Sequence, residues 1–194
     1  MAGDRSMDAQ AVTRAFEVMG RYLRERGLLG EIAVYGGSAI LLQFGWRKTS
    51  KDVDAVVRDG HEGVVKEAVE HAAAVLGLPP DWLNNWVGMY TSLDEPPHYF
   101  TAVGTYPASE TPGLRVVAAK PEYLCAMKLR ALERETIDNR DFEDAVGLGL
   151  EIGIETAQDL QDLYASFFPD ERLNRLVQSY LPEVAGEIRR RRAK

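Results

Sequence analysis

Apolar positions recur at helical spacing between Asp8 and Arg26, where Ala11, Phe16, Met19, Tyr22 and Leu23 fall on one side. Gly27 and Gly30 end that pattern. Ile32-Ala33-Val34-Tyr35 is a short continuous apolar run and reads as a buried strand. Gly36-Gly37 breaks it, and Ser38 is placed to cap a short helix from Ala39 to Phe44, stopped by Gly45. After the polar stretch Arg47-Lys48-Thr49-Ser50-Lys51, the run Asp52-Val53-Asp54-Ala55-Val56-Val57 reads as a second strand, and Asp59-Gly60 as a turn. His61 to Leu76 is helical, with Val64, Val65, Ala68, Ala72 and Val75 on one side, and Gly77-Leu78-Pro79-Pro80 closes it. Asp81 to Trp86 reads as a short helical turn capped by Asp81.

Tyr99 to Val103 and Leu114 to Ala118 are the remaining strand candidates, separated by loops at Pro96-Pro97 and Pro107 to Gly113. From Pro121, which suits a first helical position, the pattern turns helical: Tyr123 to Arg134, Asp141 to Leu150, Thr156 to Phe167 and Glu171 to Ile188. The expected class is α+β, a small mixed sheet with flanking helices and a helical C-terminal half. The expected division is a core over residues 1–119 and a helical region over 120–194 that packs on it.

The 194 residues carry a formal charge of −7, so bulk electrostatics do not favour non-specific binding to nucleic acid or membranes. Arg189-Arg190-Arg191-Arg192 reads as a solvated, fraying helix end whose cations suit the helix dipole. The single cysteine, Cys125, lies in an apolar helical pattern; no disulfide or zinc cluster can be built from it. The N-terminus lacks a signal-peptide pattern and no apolar run is long enough to span a bilayer. A cytoplasmic protein with no membrane partner is expected.

The chemistry concentrates in two short motifs. On a strand, residues i and i+2 point the same way, so Asp52 and Asp54 share a face and Val53 takes the other. Two adjacent carboxylates repel, and a hard cation removes that cost; magnesium takes one or two carboxylates plus substrate phosphates. The plain alternative is an exposed strand face. Gly36-Gly37 lets the backbone approach a ligand closely, and Ser38 opens a helix whose N–H groups favour an anion. The plain alternative there is a tight turn. Arg47, Lys48 and Lys51 add positive charge nearby.

The run from Gly36-Gly37-Ser38-Ala39 to Arg47-Lys48-Thr49-Ser50-Lys51-Asp52-Val53-Asp54 resembles the core signature of the DNA polymerase beta-type nucleotidyltransferase superfamily. It is most similar to small bacterial proteins of the AbiEii toxin type. Tyr123 to Ala131, around Lys128, and Arg140 to Ala145, with Asp141 and Asp144, are similar to the helical lysine and the Arg-Asp-x-x-Asp helix of that group. Asp81-Trp82-Leu83-Asn84 also looks like a family element, with no role attached to it. The resemblance covers roughly residues 30–150.

It implies a magnesium- (or manganese-) dependent transfer of a nucleoside monophosphate from a nucleoside triphosphate to an RNA (tRNA), protein or small-molecule acceptor. It also implies the toxin half of a toxin–antitoxin pair, with a cognate antitoxin as partner. By residue, Asp52 and Asp54 would bind the metal and act as catalytic groups. Gly36, Gly37, Ser38 and Lys51 would hold phosphate, and Lys128 would contact nucleotide phosphate and act as a catalytic group. Asp141 would be a catalytic group and Asp144 a further nucleotide-site residue. Lys128 reads equally as a snorkelling surface lysine, and Asp141 and Asp144 as charge complementing a helix start. Many superfamily members carry a third acid on a later strand, where Leu114-Arg115-Val116-Val117-Ala118 offers an arginine. Asp141 or another residue takes that place, or the metal site is incomplete. The alternative expectation is a catalytically inactive module of the same fold that binds a nucleotide or a partner.

Overall fold

The computed structural model describes residues 6–58, 60–133 and 139–194. Asp59 of the expected turn, Arg134 at the expected helix end and the first five residues lie outside them. The chain is α+β, with a five-stranded mixed sheet and, among the described residues, seven α-helices. It divides into two compact units, Met1–Met89 with Phe100–Ala119, and Tyr90–Tyr99 with Lys120–Lys194. The division at 119/120 coincides with the end of the last strand, and the segment before the fourth strand belongs with the helical unit.

In the first unit, helix α1 (Ala9–Glu25) starts where the Asp8 carboxylate accepts from Ala11 N. Phe16, Met19 and Leu23 are fully buried, as the helical spacing predicts. Strand β1 (Gly30–Val34) leads into helix α2 (Gly36–Gln43), followed by strand β2 (Val53–Val57) and helix α3 (Glu62–Leu76). The buried stripe of α3 is Val65, Ala68, Val69, Ala72 and Ala73. The expected stripe is therefore rotated, since Val75 is 57% exposed. Gly77 closes α3 in the left-handed conformation, φ +66°.

Residues 81–86 do not form the expected helical turn. Leu83–Asn84 is a two-residue strand, β3, paired parallel with Val53 and Asp54 of β2. The cause lies upstream: Trp82 is buried, its indole N–H donates to Val69 O (3.2 Å), and its carbonyl accepts from Val53 N. Those bonds carry the chain alongside β2 before a 3-10 turn at Trp86–Met89. Strands β4 (Phe100–Tyr106) and β5 (Leu114–Ala119) complete the sheet in the order β3-β2-β1-β5-β4. β1 is antiparallel to β2 and parallel to β5, and β4 is antiparallel to β5.

One close approach fixes α1 against the sheet. A Cβ on Gly113 would collide with Gly20 O, and one on Gly20 with Tyr106 O. Backbone therefore lies on backbone, which only glycine permits.

In the second unit, α4 (Pro121–Ala131) begins with Pro121 in its first turn. α5 (Asn139–Glu151), α6 (Ala157–Phe167) and α7 (Arg175–Arg192) follow. Thr156 and Asp159 form a reciprocal capping box at the start of α6. α7 starts later than expected because Asn174 caps it, accepting from Val177 N (2.9 Å), while Glu171 pairs with Arg130 (3.1 Å). The arginine run is also not a loose end. Arg189 donates to Glu155 O, Arg191 bridges Glu187 and Glu143, and Arg192 donates to Ile154 O. Cys125 is buried with its thiol directed at Ala145 O (3.9 Å); burial, then Glu122, pushes its pKa up to about 12. No helix of the described residues is long and apolar enough to cross a membrane.

Candidate functional site

The carboxylate pair and the glycine turn meet in the first unit. β1 and β2 pair with Val34 opposite Ala55, so the turn after β1 lies beside the start of β2. Tyr35 N donates to Asp54 O (2.9 Å), extending the ladder to the first residue before α2. This pairing leaves no loop, and α2 opens at Gly36 rather than at Ala39. Ser38 is consequently not its N-cap. The residue at that position is Tyr35, and its side chain makes no capping bond.

Ser38 is fully buried, and its hydroxyl donates to Asp52 O (2.7 Å). That bond makes Ser38 an anchor for the acid strand. Ser38 Oγ and Tyr35 N hold the backbone of Asp52 and Asp54, so the two aspartates are fixed to α2 through their main chain. Both keep half-exposed side chains, while Val53 and Ala55 between and after them are buried. The expected shared face is what the alternation of burial shows, although β2 begins only at Val53.

The two glycines have separate reasons to be glycine. Gly36 has φ +57°, and a Cβ on it would stand 2.6 Å from Asp54 Oδ2. The Asp54 carboxylate therefore rests on the bare Cα face that opens α2. A Cβ on Gly37 would stand 2.5 Å from Arg47 Nη2 and 2.8 Å from Arg47 Cζ. The guanidinium lies flat over Gly37, and its Nε donates to Thr49 O (3.2 Å). A cation at a helix N-terminus works against the helix dipole. The Asp54 carboxylate against Gly36 is an anion at the same helix start. Lys51 is exposed next to Asp52.

Asn84 is a site residue that local sequence patterns do not single out. Its register partner on β2 is Asp54, and partners across a ladder share a face. Its amide Nδ2 donates to Asp52 Oδ2 (3.0 Å), and its Oδ1 accepts from Trp86 N (3.1 Å). The motif Asp81-Trp82-Leu83-Asn84 is visible in the chain, but nothing in its spacing points across to Asp52. Trp82 is 1% and Trp86 65% exposed.

No family model, curated protein or solved structure matches the chain.

The two acids suit a small cation that keeps several water ligands and takes one or two carboxylates. Both are ionisable oxygen donors on one face, half open to solvent. Among the described residues there is no group of three or more His, Cys, Asp or Glu arranged for a metal. Arg115 does not complete the pair. It sits opposite Glu31 in the β1–β5 register and pairs with it (3.1 Å). The turn adjoins the other end of those strands, where Val34 faces Ala118, three residues or roughly 10 Å along the strand.

Lys128, Asp141 and Asp144 form a group within the second unit. Lys128 on α4 places Nζ 2.6 Å from Asp141 Oδ1 and 2.9 Å from Asp144 Oδ2, both on α5. The lysine side chain is 13% exposed and that of Asp144 4%, so this is no snorkelling lysine. Burial disfavours the ammonium, but Asp144 and then Asp141 outweigh it, and the pKa of Lys128 lies above its ordinary value.

Proposed function

We propose that the chain is a nucleotidyltransferase that uses Mg2+ or Mn2+ and moves a nucleoside monophosphate from a nucleoside triphosphate to an acceptor. The observation that carries this reading is the contact between Gly36 and the Asp54 carboxylate. It joins the opening of α2, an anion-favouring helix start, directly to the acid pair. In such a reaction an acceptor oxygen bonds to the α-phosphorus, the bond to pyrophosphate breaks, and the acceptor hydroxyl gives up its proton. Asp52 and Asp54 would hold the cation, which when bound neutralises the triphosphate and leaving-group charge. Gly36, Gly37 and Arg47 would seat phosphate oxygens, with Lys51 at the exposed rim. Catalysis of this kind needs positioning and charge neutralisation more than covalent chemistry. The reading stands on the first unit alone. Lys128, Asp141 and Asp144 enter it as a second group that orients α5, with the lysine engaged by both acids.

The acceptor would be RNA, protein or a small molecule, and a toxin role would give the chain an antitoxin partner. Incubation with each α-labelled nucleoside triphosphate, Mg2+ and a cell extract should label one acceptor class. Asp52→Ala with Asp54→Ala should label none. Equal labelling by wild type and the double variant removes the catalytic reading. The absence of an acid on β5 favours a second reading, a nucleotide-binding module without turnover. A Mg2+-dependent thermal shift with nucleotide but no label transfer would select it.

A further inference from the structure

We infer that Asn84 is a positioning residue for the acid pair: it holds one oxygen of Asp52 so that the carboxylate meets a divalent cation through the other. The inference rests on the reading of Asp52 and Asp54 as the cation site.

Three observations combine. First, Asn84 Nδ2 donates to Asp52 Oδ2 at 3.0 Å. Second, the amide can face only one way. Trp86 N donates to Oδ1 at 3.1 Å. A flipped amide would set its NH2 against the Trp86 N–H and its oxygen against the Asp52 carboxylate. Third, Asn84 is immobilised by its surroundings. Trp82, two residues earlier, is core and bonded through its indole to Val69 O, and Leu83–Asn84 pairs with Val53 and Asp54.

The chemistry follows from the donor inventory. An ionised carboxylate only accepts, and an amide NH2 only donates. Asn84 thus takes one lone pair of Oδ2 without adding charge and locks the Asp52 rotamer. Its carbonyl oxygen accepts from Trp86 N, so the group Asn84 presents to Asp52 is the donating NH2. Outer partners of ligating carboxylates act this way, and losing one costs about tenfold to a hundredfold in metal affinity.

The test is Mn2+ alone on the full chain, followed by paramagnetic resonance of free Mn2+ and by melting temperature with and without the ion. Wild type should bind, and Asp52→Ala should not. Asn84→Ala should bind about tenfold or more weakly while melting normally without Mn2+. Asn84→Asp sets a second carboxylate oxygen against Asp52. It should melt lower without Mn2+ and rise more than wild type when Mn2+ is added. A purely structural asparagine gives lower melting temperatures and unchanged Mn2+ affinity, which overturns the inference and leaves the cation site standing. No Mn2+ binding by wild type overturns both. Should Asn84→Ala fail to fold, the near-isosteric Asn84→Leu, which also lacks the donor, decides: Mn2+ binding about tenfold or more weaker than wild type supports the inference, unchanged binding sinks it.

Discussion

Replacing Gly36 by alanine tests whether the bare face of the turn shapes the acid pair. Two effects are expected from the geometry. The residue sits at φ +57°, where an L side chain costs about 1–2 kcal/mol. The new Cβ would also stand 2.6 Å from Asp54 Oδ2, so the carboxylate must retreat by about 1 Å to reach ordinary separation. Gly77→Ala isolates the first effect, because Gly77 has φ +66° and a Cβ there would meet nothing within 4 Å. Urea unfolding should therefore show similar losses for both variants. Mn2+ affinity should fall about tenfold or more only for Gly36→Ala. If the two variants lose equal stability and both keep wild-type Mn2+ affinity, the carboxylate position does not depend on the turn, and the reasoning fails.

Lys128→Met leaves Asp141 and the nearly buried Asp144 without their cation, and should cost about 3–5 kcal/mol in urea unfolding at neutral pH. The pKa of Lys128 is raised in the fold, so its contribution is complete below the ordinary value of 10.5 and declines as pH climbs through the folded value. Stability against pH should accordingly fall more steeply for wild type than for Lys128→Met above that value. Thr156→Ala removes the acceptor for Asp159 N and should cost about 1 kcal/mol, read from the thermal midpoint. Asp159 is held below its ordinary pKa by the N–H groups of Glu155 and Thr156, so this cap should weaken as pH drops below the ordinary value of 3.8. Gly113→Ala forces α1 off the sheet, because the obstructing atom is backbone that cannot rotate away. It should cost about 1–3 kcal/mol, and an unchanged urea midpoint would contradict the close approach.

The parts of this fold that could be read from the chain are those decided by local patterns. The buried stripe of α1, the alternation through Asp52–Ala55 and the helix ending at Phe167 all follow from spacing within a few residues. What escaped depends on contacts across the sheet. Leu83–Asn84 became a strand because Val53 and Val69 claimed the groups of Trp82. Ser38 turned inward because Asp52 O lay within reach, and no local rule distinguishes that use of a serine from a cap. The same holds at the site. The glycine turn and the acids stood out as motifs, whereas Arg47 over Gly37 and Asn84 beside Asp52 are neighbours only once β2 has folded back along β1. The arginine run is solvated as expected, with Arg189, Arg190 and Arg192 exposed, but it is not a fraying end, because each of the four arginines is held by Glu143, Glu155 or Glu187.

The buried thiol on α4 makes this chain a convenient carrier for site-specific probes. With a pKa near 12, Cys125 is ionised in about one molecule per hundred thousand at pH 7. A cysteine introduced at an open position such as Leu93, which is fully exposed, would be ionised a few per cent of the time. That difference of about three thousandfold means that one added cysteine would take a fluorophore or spin label selectively, with the native thiol left in place.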